Sequence, residues 1–339
     1  MSDRSRWDPE MRAYQAAAEA IAASYPPIRL ELPLEPHRRV NDAISLARGP
    51  HGPDMAETTE RWVAARGRRI YCRVHRPRTD RPLPALVYFH GGGWVWGSVD
   101  THDSAARELA AAGEVATISV DYALSPEAKF PQALEECAAV VRHIAEHGAE
   151  WGVDPTRILV GGDSAGGNLA LATALLLRDT GGPKLSGIVA GYPVCDSRFD
   201  TPSYQEFFTG HVLTREKMAF YWSVYVPHEA DRTHPLAAPL RADLTGLPPV
   251  LVLLAELDVL RSEGEALAAK LRESAVPVEL EIYSGTLHGF LRDGRGAEIA
   301  RCGGEGGRVA AEDCWRQRRI APLCGASRVS AEGRGASLW

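Results

Sequence analysis

No window of the chain approaches the roughly 18 consecutive apolar residues that a membrane span requires, which excludes an integral helical membrane protein as the expectation. An excess of basic charge is also missing. Thirty-eight Lys and Arg stand against 44 Asp and Glu, a net charge of −6, and no basic stripe breaks that balance. Such a surface favours solubility and argues against a nucleic-acid partner. The first residues, Met1 to Pro9, carry charges but no apolar stretch after them, so no secretory leader is visible and the expected location is cytoplasmic. Six cysteines occur without any close Cys-x-x-Cys pair, which leaves no zinc or disulfide framework and no expected metal. Cys72, Cys137 and Cys195 fall in predicted strand, helix and strand-end segments and read as small hydrophobes; Cys302, Cys314 and Cys324 lie in an unusual tail. There is no internal repeat.

What is present is an alternation. Residues 9–23 set Met11, Tyr14, Ala18 and Ile21 on one helical face after the start signal Asp8-Pro9. A proline-rich break from Tyr25 to Pro36 precedes a shorter predicted helix from Val40 to Ala47. Arg61–Ala65 and Arg69–Val74 read as strands joined at Gly67, and Ala85–Phe89 reads as a buried parallel strand. Helices are then expected at 102–112, 132–147, 165–178, 214–225 and 261–274. Strands are expected at 115–120, 157–161, 187–192, 249–255 and 278–283. This order predicts an α/β fold with a mostly parallel sheet covered on both faces. The segment 196–247 interrupts the rhythm with aromatics, among them Phe199, Tyr204, Phe207, Phe208 and Trp222. The expected organisation is an N-terminal helical segment at 1–55, a core at 56–293 with an insertion at about 196–247, and a Gly/Arg-rich tail at 294–339. The insertion and the N-terminal helices would together cap a pocket.

The chemistry is concentrated in Gly162-Asp163-Ser164-Ala165-Gly166-Gly167, where the hydrophobic run Arg157-Ile158-Leu159-Val160 gives way to a helix-forming one. A serine on a sharp strand-to-helix turn needs glycine on both sides, because the backbone is strained and its neighbours approach closely. A serine hydroxyl is a poor nucleophile at neutral pH. It needs an imidazole to take its proton and a carboxylate to orient that imidazole. His288, on a loop flanked by Gly285 and Gly289 after the last predicted strand, is the candidate base. Asp258, just past the strand Val250–Ala255, is the leading candidate acid, with Glu256 and Asp196 as alternatives. His90-Gly91-Gly92-Gly93-Trp94 follows the strand ending at Phe89. Three glycines can turn backbone amides inward to hold a developing oxyanion, and the expected donors are Gly91, Gly92 and Ala165.

These motifs resemble the hormone-sensitive-lipase family of α/β-hydrolases, in its bacterial esterase branch. Asp258-Val259-Leu260-Arg261-Ser262-Glu263-Gly264, His288-Gly289-Phe290 and Asp121-Tyr122-Ala123-Leu124-Ser125-Pro126-Glu127 with Phe130-Pro131 extend the resemblance over residues 85–290. It implies an α/β-hydrolase fold of about eight strands with a helical cap, no cofactor, and hydrolysis of short-acyl esters. Members of this branch often form homodimers. Two departures stand out: Val259 where proline is usual, and Ala123 where arginine is common. The tail beyond Phe290 lacks the family's closing amphipathic helix, which points to a shifted reading frame or a non-native extension.

The expected activity is therefore that of a serine carboxylesterase acting on a small-molecule ester. Trp94, Trp96, Tyr192, Phe207 and Phe208 are the candidate pocket residues, with the two tryptophans favouring acyl chains of about two to eight carbons. A deacetylase or amidase, or a lactonase, would use the same three side chains on a different leaving group. A non-catalytic ligand receptor is the rival from another class, and the presence of His288 counts against it.

Overall fold

The computed structural model describes residues 4–48, 52–209 and 211–292. The expectations for the tail at 294–339, with its three cysteines, lie outside the described residues. Eight strands build one sheet: β1 (Glu57–Ala65), β2 (Arg68–Arg76), β3 (Leu83–Phe89), β4 (Ala116–Val120), β5 (Val153–Asp163), β6 (Gly187–Gly191), β7 (Val250–Leu257) and β8 (Val278–Leu287). Their spatial order is β1-β2-β4-β3-β5-β6-β7-β8. β1 pairs antiparallel with β2, and β2 antiparallel with β4; every later pairing is parallel.

Local sequence explains each kind of strand. β3 is a mostly apolar run and β4 is buried at every residue, its Thr117 and Ser119 included, because both faces of the sheet are covered there. β1 lies at the edge and mostly alternates between half-buried and exposed positions. Its exposed Trp62 rests against Tyr71 and under the Arg69 guanidinium. The β1–β2 hairpin turns through Arg66 and Gly67, both at positive φ (52° and 78°), as a two-residue loop with the sheet's own twist requires.

The crossovers run through α3 (Asp103–Gly113), α4 (Gln132–His147), α5 (Ala165–Asp179) and α8 (Arg261–Glu273). α5 is the central helix. Twelve of its fifteen residues are buried, which is why its apolar residues surround it rather than forming a stripe. Parallel strands point their carboxyl ends the same way, so Phe89, Asp163, Gly191, Leu257 and Leu287 end along one rim of the sheet. That rim is where loops of an open α/β sheet converge to form a site.

Two pieces lie outside this rhythm. At the N-terminus, α1 (Pro9–Ala22) is capped by Asp8, whose carboxylate accepts the amides of Glu10 and Met11 at 2.9 and 3.2 Å. It packs on α2 (Glu35–Ala47). The sequence placed the start of that second helix at Val40 and Pro36 in the preceding break. The helix in fact begins at Glu35, because a proline in the first turn loses no intrahelical hydrogen bond. Between β6 and β7 the inserted segment carries α6 (Pro202–Glu206) and α7 (Arg215–Tyr225). The Asn168 amide in α5 holds both of its flanks, donating to Val194 O at 2.9 Å and Ala237 O at 2.8 Å. Asp196 and Arg241 tie its ends again with an ion pair at 3.0 Å.

Candidate active site

Ser164 stands between β5 and α5 at φ 56° and ψ −118°, a backbone conformation that side-chain-bearing residues rarely adopt. The turn can exist only because its neighbours are glycine. A Cβ on Gly162 or Gly166 would collide with the carbonyl oxygen of Phe89 on β3. The strain is held by Ser164 N–H donating to Gly191 O at 2.8 Å and by the first turn of α5, where Asn168 N–H bonds to Ser164 O at 3.0 Å.

His288 follows β8 and brings Nε2 to 2.9 Å from Ser164 Oγ. Its Nδ1 lies 2.6 Å from Asp258 Oδ2. Asp258 is buried, and its other oxygen accepts the Leu260 amide at 3.1 Å, so the carboxylate cannot rotate freely. A carboxylate only accepts, which puts a proton on Nδ1 and leaves Nε2 to receive the serine proton. The Tyr192 ring packs against the imidazole with centroids 4.7 Å apart and closes one side of it. The two alternative acids are occupied elsewhere. Glu256 accepts Gly285 N–H at 2.8 Å and pairs with Arg6 at 3.3 Å, while Asp196 pairs with Arg241.

The glycine triplet needs a correction. Gly91 does not have a free amide: its N–H donates to Asp163 Oδ1 at 2.9 Å. The same oxygen accepts the Tyr88 hydroxyl at 2.6 Å, so a buried carboxylate from the serine motif anchors the start of the loop. A Cβ at Gly91 would run into that carboxylate. The amides of Gly92, Gly93 and Ala165 have no hydrogen-bond partner among the described residues. Gly93, which the sequence reading did not select, therefore has the free donor that Gly91 lacks. The signal was Asp163 itself, an acid inside an apolar motif that had to find donors nearby. His90 sits beneath the loop, stacked on Tyr122 at 4.3 Å, and burial pushes its imidazole down to about 3, so it is neutral.

The pocket candidates are scattered. Trp94 is buried, stacked on Tyr225 at 4.1 Å and edge-on to Trp222 at 5.3 Å. Trp96 donates from Nε1 to the Tyr221 hydroxyl at 3.1 Å, and the Tyr221 ring lies where a Cβ on Gly93 would go. Tyr192 reaches the triad. Phe207 does not come to Ser164 in any described contact: it is enclosed by the guanidinium groups of Arg6 and Arg261, each 5.5 Å from its ring, and by His211. Phe208 is 53% exposed. The structure thus brings Ser164, His288, Asp258 and Tyr192 together, places Trp96 against the glycine loop, and leaves Phe207 and Phe208 apart.

Among the described residues no group of three or more His, Cys, Asp or Glu side chains is placed to hold a metal ion, and no helix is long and apolar enough to cross a membrane. The described thiols Cys72, Cys137 and Cys195 are buried, and burial raises each above its ordinary range, so they stay protonated.

Comparison with known proteins gives the class. A family model described as "alpha/beta hydrolase fold" matches residues 86–292. The chain belongs to that family, in its hormone-sensitive-lipase branch. Within it, the chain is 40% identical over 227 residues to a carboxylesterase of Mycobacterium tuberculosis, covering 66% of this chain and 71% of the relative. It is 32% identical over 296 residues to an ethyl acetate hydrolase of Pseudomonas putida, covering 85% and 92%. Among solved structures, an ester hydrolase from the metagenome of Lake Arreo superposes with a TM-score of 0.82 at 34% identity, over 91% of this chain and 98% of that one. A hyperthermophilic esterase from Pyrobaculum calidifontis gives 0.79 at 35% identity, over 87% and 96%.

Proposed function

We propose that this chain is a serine carboxylesterase that hydrolyses short- to medium-chain acyl esters through Ser164, His288 and Asp258. The chain is a carboxylic ester hydrolase, as its relatives among carboxylesterases and ester hydrolases are. The observation that carries the residue roles is the unbroken hydrogen-bond chain from Asp258 through the two imidazole nitrogens to Ser164, 2.6 and 2.9 Å long.

In this mechanism His288 Nε2 takes the Ser164 proton as Oγ bonds to the ester carbonyl carbon. The carbonyl electron pair moves to oxygen, and the charge is held by the amides of Gly92, Gly93 and Ala165. Collapse of that intermediate breaks the bond to the alkoxy oxygen, which leaves as the alcohol with the proton from His288. Water, deprotonated by the same nitrogen, then releases the acid and restores the serine. Asp258 steadies the imidazolium throughout. The N-terminal helices and the 196–247 insertion act as the cap, and Tyr221 with Trp96 narrows the space over the glycine loop.

The test is a panel of p-nitrophenyl esters from acetate to decanoate beside an N-acetyl amine and a lactone. Turnover is expected on the short esters, falling beyond about eight carbons, and absent in Ser164→Ala. Faster turnover of the amide or the lactone would move the reading to a deacetylase, amidase or lactonase. Undiminished ester hydrolysis by the serine variant would end it.

A further inference from the structure

Three buried carboxylates crowd the corner of the fold behind His288: Asp196, Asp258 and Glu263. Two of them have a basic partner. Asp196 faces Arg241 and Asp258 faces His288. Glu263, in the first turn of α8 and 1% exposed, has none. Its Oε2 accepts the backbone amides of Cys195 at 2.8 Å and Asp196 at 3.0 Å. Its Oε1 is buried without a hydrogen-bond partner among the described residues. The Tyr204 hydroxyl of α6, which likewise has no full hydrogen bond, lies beside it. Arg261, on the same helix, faces Glu206 and Glu265 instead.

The partners of Glu263 give it a use. Cys195 and Asp196 are where the chain leaves the sheet after β6 and the inserted segment begins. Glu263 sits five residues after Asp258 on the turn that presents that acid to His288. A second fastener joins the same two pieces: the Ser203 amide donates to Ser262 Oγ, and the Ser262 amide to Ser203 Oγ, both at 3.1 Å. The Ser203 hydroxyl also donates to Val259 O at 2.5 Å. A buried carboxyl group with one oxygen unpartnered is expensive to keep in either protonation state, and an apolar side chain would fill the space without that cost. What an apolar side chain could not do is grip two consecutive amides.

We infer that Glu263 is a positioning residue for the reaction proposed above, clamping the exit of β6 to the first turn of α8 and so fixing the turn that carries Asp258. Its charge adds a second effect. Burial, opposed by the Cys195 and Asp196 amides and reinforced by the charges of Asp196 and Asp258, pushes Glu263 up to about 8. At neutral pH it is therefore mostly protonated and its O–H can turn toward Tyr204. Above that value a negative charge appears behind Asp258, which favours the imidazolium formed when Ser164 attacks.

This inference rests on the Ser164, His288 and Asp258 reading, and the experiment separates the two. Steady-state kinetics on p-nitrophenyl acetate are measured from pH 6 to 10 for the full chain, Glu263→Gln, Glu263→Ala and Ser164→Ala. The wild type is expected to show a rise in kcat of about threefold through an ionisation near pH 8. Glu263→Gln keeps an oxygen for both amides, so it should match the wild type near pH 7 and lack that rise. Glu263→Ala should lower kcat at least tenfold with KM nearly unchanged. An alanine variant with wild-type kcat would overturn the clamp, and a Glu263→Gln profile that rises near pH 8 as the wild type does would remove the charge effect; both leave the triad reading intact. Should the alanine variant fail to fold, Glu263→Met, which fills the space but accepts from neither amide, takes its place and is read against the same tenfold loss. Activity retained in Ser164→Ala would instead remove the reading on which the inference rests.

Discussion

Replacing Asp258 by asparagine changes a single atom, and the structure dictates what that change does. Asp258 Oδ1 accepts the Leu260 amide at 3.1 Å, so an asparagine there must turn its carbonyl oxygen to the same amide. Its NH2 group then falls where Oδ2 now stands, 2.6 Å from His288 Nδ1. Facing a donor, Nδ1 must become the acceptor, and the ring proton moves to Nε2, which points at Ser164 Oγ 2.9 Å away. The imidazole is held in place but presents a proton instead of a lone pair. A wrong-tautomer triad of this kind loses about 10⁴ in kcat, or ~5.5 kcal/mol of barrier. Substrate contacts are untouched, so KM should change by less than about threefold. Steady-state rates on p-nitrophenyl acetate, with Ser164→Ala as the floor, measure this. Asp196→Asn and Glu256→Gln serve as comparisons and should each cost far less. An Asp258→Asn enzyme within tenfold of wild type, or an Asp196→Asn enzyme as slow as it, would show that Asp258 does not set the tautomer of His288.

Three further outcomes follow from the same geometry. Gly93→Ala would push a methyl group into the Tyr221 ring and displace an oxyanion donor, so kcat should fall about 100- to 1000-fold; Gly181→Ala, also at positive φ (63°) but in open space, should keep wild-type kinetics at a small cost in melting temperature. Asp163→Ala removes the one oxygen that accepts both the Tyr88 hydroxyl and the Gly91 amide, and should lower kcat about tenfold and stability by about 1.5–3 kcal/mol, read by kinetics and urea unfolding. Glu263 is raised to about 8 in the folded chain, so the native state holds a proton that the unfolded state gives up at lower pH. Stability therefore falls as pH rises from the ordinary carboxyl range to about 8, and Glu263→Gln should narrow the difference in melting temperature between pH 6 and pH 9.

Which parts of this were legible in the sequence follows from how local their causes are. The turn at Ser164 is written in glycines whose substitution would strike β3, and the apolar runs of β3 and β7 carry their own burial pattern. The order of the elements then fixes the shared rim, and with it the approach of residues 164, 258 and 288. The glycine loop was less transparent, because the direction of each amide depends on Asp163, which reaches across from the neighbouring strand. Phe207 was read as a pocket residue from its aromatic company. Its actual neighbours, Arg6 and Arg261, come from segments about 201 and 54 residues away in the chain, and no periodicity reports them. The start of α2 was missed because a proline was read as a break where it served as a first turn.

The central claim is that Ser164 is the nucleophile and His288 makes it one. Treating the folded chain with a fluorophosphonate ester and mapping the adduct by peptide mass spectrometry tests this directly. One phosphonyl group per chain is expected, on Ser164, formed at least a hundredfold more slowly in His288→Ala. A folded wild-type protein that stays unlabelled, or carries the group on another residue, would contradict it.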